Sequence, residues 1–408
     1  MFVYTQENRS KPFSCDILTE NGSHSWGHTM KPDSRVLIVQ PCLPEYRVPL
    51  FDGLFRIYGP SFKIICGQFD PATGATSTAN LPTYAASQAN IRAFFGNRLF
   101  WQELTPHVRD LEKGDVLVVN GNPRYLSTLW WTQTLRLRGV RVLWWGHGWT
   151  PGSNRIRALI RRQLMKAFDA ILLYTEIERT EYLHYGFKGE TLFAANNALD
   201  QTPIVRERNL WTPRSAMSQL VSGGYAGRPF IIFSSRLIAK ARLDQALQAL
   251  AASRTQGLDI GLVVVGDGPK RAEWEARAKQ LQVPVTWLGA VFDQQALAPW
   301  FSAATAFVYP GAIGLSLLHA FGYGLPVIIH SNTRGHNPEV AAFSDMQNGV
   351  SFVENDIESL TGAIVRLFSD SDLREALSRN AIDTVSAQYS MPEMIRRVRA
   401  AIDYLRAL

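Results

Sequence analysis

Two cations four residues apart, Arg236 and Lys240 in SSRLIAKAR, follow the apolar run FIIFS, where a strand hands over to a helix. Positive charges at such a junction can neutralise a diphosphate and stabilise the charge that develops as it departs. On these residues alone, surface charge at a helix start is the favoured reading. A second candidate is PGAIGLSLLHAF, where Gly311 and Gly314 allow phosphate or sugar to approach the backbone. A helix starting near Leu315 and Ser316 would offer free amides to an anion, with the Ser316 hydroxyl as an extra donor. His319 lies three residues beyond Ser316 on a neighbouring part of that helix face, though an isolated histidine there is more often buried and satisfied. VVVGDGPKR supplies Gly266 and Gly268 for a tight turn and Pro269 for a first helical position. Arg271 stands where the third glycine of a dinucleotide fingerprint would fall, so this signal is weak. In WWGHGWTPG, His147 sits between two glycines after an apolar run, and functional and structural readings balance.

These loops need strands to carry them. In the first half VLIVQ, FKIIC, DVLVVN, VRVLWW, AILLY and TLFAA are short β-rich runs, and FIIFS, GLVVVG, PVTWLG, TAFVYP and PVIIH follow in the second. Near-continuous apolar strands alternating with helical patterns are what buried parallel sheets require. The expected architecture is α/β, two doubly wound Rossmann-like domains facing a central cleft, with ligands beyond the carboxyl ends of the strands. Residues 1–33 read as an N-terminal extension, 34–205 as the first, acceptor-side domain and 206–228 as a polar linker ending in SGGYAGRP. Residues 229–390 read as the second, nucleotide-sugar-binding domain, and 391–408 as a C-terminal helix packing back on the first domain.

Composition narrows the class. The chain has 408 residues, 46% of them hydrophobic, and carries a formal net charge of +7. That length suits two or three domains of about 150 residues each. No apolar run reaches the roughly 18 residues of a spanning helix, and residues 1–30 lack the pattern of a signal peptide. Cys15, Cys42 and Cys66 are odd in number and widely spaced, which points away from a disulfide framework or zinc site and towards a reducing compartment. Residues 116–168 hold nine basic residues and no acidic one. Within them RIRALIRRQLMKAF places Ile156, Leu159, Ile160, Leu164 and Phe168 near helical spacing, with Arg155, Arg161, Arg162 and Lys166 largely opposite. A core-packing helix with a solvated cationic face is the leading reading. An anionic membrane surface is the alternative. Nucleic acid is not an expected partner, because no reading module accompanies the charge.

In order and spacing, SSRLIAKARLDQAL, VVVGDGP, VTWLGAV, FVYPGAIGLSLLHAFGYGLPVI and PEVAAF–NGV resemble the family-four retaining glycosyltransferases of the GT-B fold, of the glycosyl transferases group 1 type. The resemblance is dense over residues 229–350. It is thinner in the first half, at QPCLPEYRVPLFDGL, GHG, YTEIERTEYL and NNALD. Two glutamates of that family's phosphate-binding helix fall on Gly311 and His319, and the family lysine falls on Ala241, between Lys240 and Arg242.

The resemblance implies a nucleotide diphosphate sugar as donor substrate, with no separate cofactor and no metal, and transfer with retention. Arg236, Lys240 (or Arg242) and the Leu315–Ser316 amides would hold the diphosphate. His147 would orient the sugar from the opposite domain, and His319 would meet a ribose hydroxyl. Glu339 would lie near the donor, and Arg47 would contact acceptor or phosphate. The expected acceptor is a saccharide or lipid-linked saccharide, in polysaccharide or glycolipid assembly, in the cytoplasm at the inner face of the cell membrane. A sugar-nucleotide-binding protein without transferase activity and a GT-B epimerase are the competing expectations.

Overall fold

Strands buried on both faces must be apolar throughout, and the runs read from the sequence fold accordingly. The computed structural model describes residues 34–86, 89–148 and 155–408; the extension 1–33 with Cys15, the residue Trp149 and the side chain of Arg155 lie outside the described residues. The first sheet contains β1 (Val36–Gln40), β2 (Phe62–Cys66), β3 (Ala85–Ala86), β4 (Val116–Asn120), β5 (Arg141–Trp145), β6 (Ala170–Leu173) and β7 (Leu192–Ala194). Their order is β7-β6-β5-β4-β1-β2-β3, all parallel. Alternation decides the two faces: Val36 and Ile38 join one apolar cluster, Leu37 and Val39 the other.

The second sheet is also parallel. It comprises β8 (Phe230–Ser234), β9 (Gly261–Val265), β10 (Val285–Gly289), β11 (Ala306–Tyr309), β12 (Val327–His330) and β13 (Gly349–Phe352). Their order is β10-β9-β8-β11-β12-β13. The order reverses between β8 and β11, so the loops after these two strands open at the point where such sheets hold ligands.

Two stretches differ from expectation. Residues 206–228, read as a linker, carry the end of α5 (Thr202–Arg208) and all of α6 (Pro213–Ser222). Ile204, Ala216 and Leu220 are buried, and Ile204 and Leu220 belong to the apolar cluster of the second domain. Ala195 and Ala198 still belong to the first, so the chain changes domain within about 199–203. A composition scan missed this because Thr212 caps α6 with a full capping box and Gly only follows the helix.

The second difference is α3 (Arg155–Met165). It is helical as read, but Ile156, Leu159 and Ile160 are 68%, 49% and 54% exposed, while Met165 and Phe168 are buried. The core-packing reading is therefore corrected. The Arg162 guanidinium lies 4.1 Å from the Tyr185 ring centroid and the Lys166 ammonium 6.0 Å from that of Phe187. Aromatic faces take up the cations and the aliphatic side chains turn outward.

The last helix, α11 (Met391–Arg406), lies on the first sheet's core. Met391, Met394, Val398, Ala401, Ile402 and Leu405 are buried there. At about 1.5–3 kcal/mol for each large side chain fully buried, this face is a substantial tether. Gly53, in α1 (Val48–Tyr58), admits it closely, since a Cβ there would come 2.2 Å from Ile395 Cδ1. Tyr58 donates to Asp403 at 2.9 Å, and Arg397 pairs with Glu176. Among the described residues no helix is long and apolar enough to cross a membrane.

Candidate functional site

The loop after β11 runs through residues 311–315 into the short helix α9 (Ser316–Gly322). Two neighbours hold it. On one side, a Cβ on Gly311 would come 2.0 Å from the carbonyl oxygen of Lys240. Glycine is needed here for chain-to-chain contact with residues 240–241. On the other side, His336 Nδ1 accepts from the Ile313 amide at 3.2 Å, and Asn337 Nδ2 donates to the carbonyls of Ala312 and Ile313 at 3.2 and 3.0 Å. The amides of Gly314, Leu315 and Ser316 carry no backbone hydrogen bond, as expected where a helix begins.

Gly266 and Gly268 serve the neighbouring loop in the same way. Gly266 has φ +127° and a Cβ there would meet the Ser235 carbonyl oxygen at 1.9 Å; at Gly268 the Leu237 carbonyl oxygen stands at 2.5 Å. Both glycines therefore seat the 235–237 segment. That segment presents Arg236 exposed, and Lys240 is exposed beside the 311 loop. Among the described residues neither cation has a carboxylate partner. Arg242 does: it pairs with Glu354 at 2.8 Å.

His319 faces α8 (Gln294–Ala303). Its Nε2 lies 2.9 Å from Gln294 Oε1, and its ring meets Phe301 edge-on at 4.5 Å. Burial lowers its pKa to about 4, so the ring is neutral near pH 7 and donates from Nε2. One of its two nitrogens is thus committed to the fold.

Glu339 crosses to the first domain. It is buried, with Oε1 accepting from Asn197 Nδ2 at 2.6 Å and Oε2 standing 3.5 Å from where a Gly314 Cβ would be. Burial raises its pKa, against the hydrogen bonds and the nearby Arg47. Arg47 itself lies over Trp145 and Tyr174, 5.1 and 5.7 Å from their centroids. The Tyr174 ring in turn packs 4.5 Å from His147. His147 opens to the cleft, yet concave walls on its other sides remove water. That burial, with Arg161 and Arg47, lowers its pKa to about 4. A continuous series of contacts thus runs from Lys240 and Gly311 through Gly314, Glu339 and Asn197 to Tyr174, and from Tyr174 to Arg47 and His147.

Residues 221–384 match the family model for glycosyl transferases group 1. The chain resembles the glycosyltransferase from Rickettsia africae, with a TM-score of 0.65 at 14% identity over 91% of this chain and 98% of that one. Anabaena HepE in complex with UDP gives 0.65 at 14% identity, over 90% and 98%. The chain has the GT-B fold. Among curated proteins, the GDP-mannose-dependent alpha-(1-6)-phosphatidylinositol dimannoside mannosyltransferase of Mycobacterium tuberculosis is 31% identical over 102 residues, covering 24% of this chain and 26% of that protein. The alpha-monoglucosyldiacylglycerol synthase of Streptococcus pneumoniae is 26% identical over 247 residues, covering 57% and 53%. The chain therefore spans about a quarter to a half of the length of these curated relatives.

In this GT-B chain the cleft wall on the first domain is a pocket of about 420 Å³ that includes Arg47, Asp70, Arg124, His147, Arg161 and Tyr174. A larger groove of about 910 Å³ lies at the outer edge of the first sheet, between β7 and α11. It is away from the strand ends where doubly wound sheets bind ligands, so the cleft is the better candidate. Asn197, His336 and Asn337 were not singled out from sequence. The strings NNALD and HNPEV held them, but only the fold brings Asn197 against Glu339, 142 residues away.

Proposed function

We propose that this chain is a nucleotide-sugar-dependent glycosyltransferase, its second domain holding a nucleoside diphosphate sugar and its first domain the acceptor. The observation that carries the reading is the unpaired Arg236 and Lys240 beside the 311–316 loop, contiguous through Glu339 with the cleft wall of the first domain. Arg236, Lys240 and the amides of Gly314, Leu315 and Ser316 stabilise the departing diphosphate electrostatically. Gly266, Gly268 and Gly311 keep those groups in place. Glu339 uses Oε2 to accept from a sugar hydroxyl, because Oε1 is taken by Asn197. His319 retains Nδ1 for a ribose hydroxyl. His147, neutral near pH 7, orients the sugar by hydrogen bonding rather than by charge. In line with the family resemblance, the anomeric configuration is retained and the leaving phosphate takes the acceptor proton.

The acceptor is a saccharide or lipid-linked saccharide, and the setting is surface polysaccharide or glycolipid assembly. Two relatives carry glycolipids in their names, and α3 offers exposed Ile156, Leu159 and Ile160 beside basic residues. That combination suits an anionic membrane face on the cytoplasmic side.

Thermal shift with UDP-, GDP-, ADP- and dTDP-sugars tests the donor, since a ligand binding only the folded state raises the melting temperature. Release of nucleoside diphosphate with saccharide and glycolipid acceptors then tests transfer. Binding without release across that panel leaves a sugar-nucleotide-binding protein. Conversion of the donor without acceptor leaves an epimerase.

A further inference from the structure

The pocket on the first domain has a charge pattern that the transfer reaction does not by itself require. Arg47 and Arg161 both line it, on the same wall as His147. Arg47 rests on Trp145 and Tyr174, and Arg161 reaches the His147 carbonyl oxygen at 3.5 Å. Among the described residues neither guanidinium has a carboxylate within ion-pair distance. Arg124 stands at the rim over Phe100, its Nε donating to the Arg98 carbonyl at 2.9 Å.

The carboxylates near these cations are engaged elsewhere. Asp70 is buried and accepts from the Ala72 amide at 2.9 Å, Thr73 Oγ1 at 2.7 Å and Tyr125 Oη at 2.5 Å. Glu178, whose charge acts on Arg161, is buried and accepts from the amides of Gly148 and Tyr174 at 2.8 and 3.1 Å, and Glu339, whose charge acts on Arg47, accepts from Asn197 at 2.6 Å. Two guanidiniums facing one concave space, neither with a carboxylate within ion-pair distance among the described residues, form a site for an anion. A neutral sugar hydroxyl would not compensate them. Arg236 and Lys240, by contrast, serve the other domain.

We propose that this pocket binds the acceptor through an anionic group, a phosphate ester or a carboxylate, held between Arg47 and Arg161 beside His147. This deepens the glycosyltransferase reading and rests on it for the word acceptor; the anion site itself does not. The anionic group fixes the acceptor's register, and the hydroxyl to be glycosylated lies on the side of the pocket towards Glu339.

The test uses the full chain, with the donor site filled by whichever nucleoside diphosphate raises the melting temperature. Octyl phosphate, glucuronic acid and neutral octyl glucoside are titrated by calorimetry. Binding of one or both anionic probes, at least tenfold tighter than the neutral one, is expected, and the tighter of the two identifies phosphate or carboxylate. Arg47→Gln and Arg161→Gln should each weaken the anionic probe about tenfold, in line with a lost charged hydrogen bond, and leave nucleotide binding unchanged. Arg236→Gln should do the reverse. Equal affinity for the neutral probe, or no anionic binding by a protein that still binds nucleotide, overturns the proposal. So does loss of nucleotide binding in the Arg47 and Arg161 variants, which would assign these cations to the donor. If no nucleotide stabilises the wild type, the transferase reading fails, while the same probe series on the nucleotide-free protein still decides the anion site.

Discussion

Asn197 of the first domain donates from Nδ2 to Oε1 of Glu339 in the second at 2.6 Å, and both side chains are buried. The contact joins the domains at the same point where Glu339 adjoins Gly314 of the 311–316 loop. A movement of one domain against the other must therefore be felt at that loop, and domain closure and loop geometry are coupled here.

Glu339→Gln separates the charge from the hydrogen bond. Its amide oxygen still accepts from Asn197, so the melting temperature near pH 7 should stay level or rise, while sugar transfer falls at least tenfold. Glu339→Ala leaves a buried amide donor unsatisfied and should cost about 1–3 kcal/mol. Because burial raises the folded-state pKa of Glu339, the folded chain holds its proton longer than the unfolded one. This group's contribution to stability therefore falls as pH rises from the ordinary carboxylate value through the raised one. Melting curves across that window should show a shallower fall for Glu339→Gln.

The phosphate clamp predicts a split among three neighbouring cations. Arg236→Ala should lose transfer with an unchanged melting temperature, since the side chain is exposed and unpaired. Near-normal transfer by that variant would sink the assignment. Lys240→Gln should weaken nucleoside diphosphate binding severalfold. Arg242→Gln breaks the pair with Glu354 and should cost up to about 1 kcal/mol, with nucleotide affinity nearly unchanged.

Gly311→Ala and Gly266→Ala act through backbone. Each would press a methyl group to about van der Waals overlap with a carbonyl, Lys240 O at 2.0 Å and Ser235 O at 1.9 Å, and Gly266 also has a left-handed φ. Destabilisation of roughly 1–3 kcal/mol is expected in denaturant melts, with displaced loops lowering nucleotide affinity as well. Wild-type stability in either variant would show that these segments can part without cost.

Acid should unfold this protein early. Burial lowers His319 and His330 to about 4, with His336 adding to the effect at His330. The unfolded chain takes up these protons near pH 6.5 and the folded chain only near 4, so stability falls as pH drops between those values. His319→Phe should lower the melting temperature at neutral pH through the lost bond to Gln294, yet flatten the dependence from pH 6.5 to 4. An unchanged slope would mean that His319 is not held neutral by the fold.

The outward face of α3 predicts membrane association. Ile156→Ser with Ile160→Ser should leave the melting temperature within about a degree and abolish co-flotation with anionic liposomes, because the two side chains are exposed and packing barely involves them. Flotation that persists, or a wild type that does not float, removes this helix as the contact.

The strands were legible in sequence because buried parallel strands have one composition signature: VLIVQ, FIIFS and their counterparts are apolar on both faces wherever they lie in the sheet. Two domains, their order and the loops at strand ends followed from that pattern. Tertiary structure alone decided what those loops do. The close backbone neighbours of the glycines at 266, 268 and 311 were not legible, since a missing Cβ does not say which distant segment stands against it. The facing of α3 was misread because spacing defines an apolar stripe but not the side on which neighbours stand, and the rings of Tyr185 and Phe187 stand on the side of Arg162 and Lys166. Arg236 and Arg242 are equal as letters; an acid 112 residues from Arg242 in the chain distinguishes them. Local patterns report what a segment can bury, whereas charge partners, close approaches and the Asn197–Glu339 contact depend on residues distant in sequence that only the packed fold brings within a few ångströms.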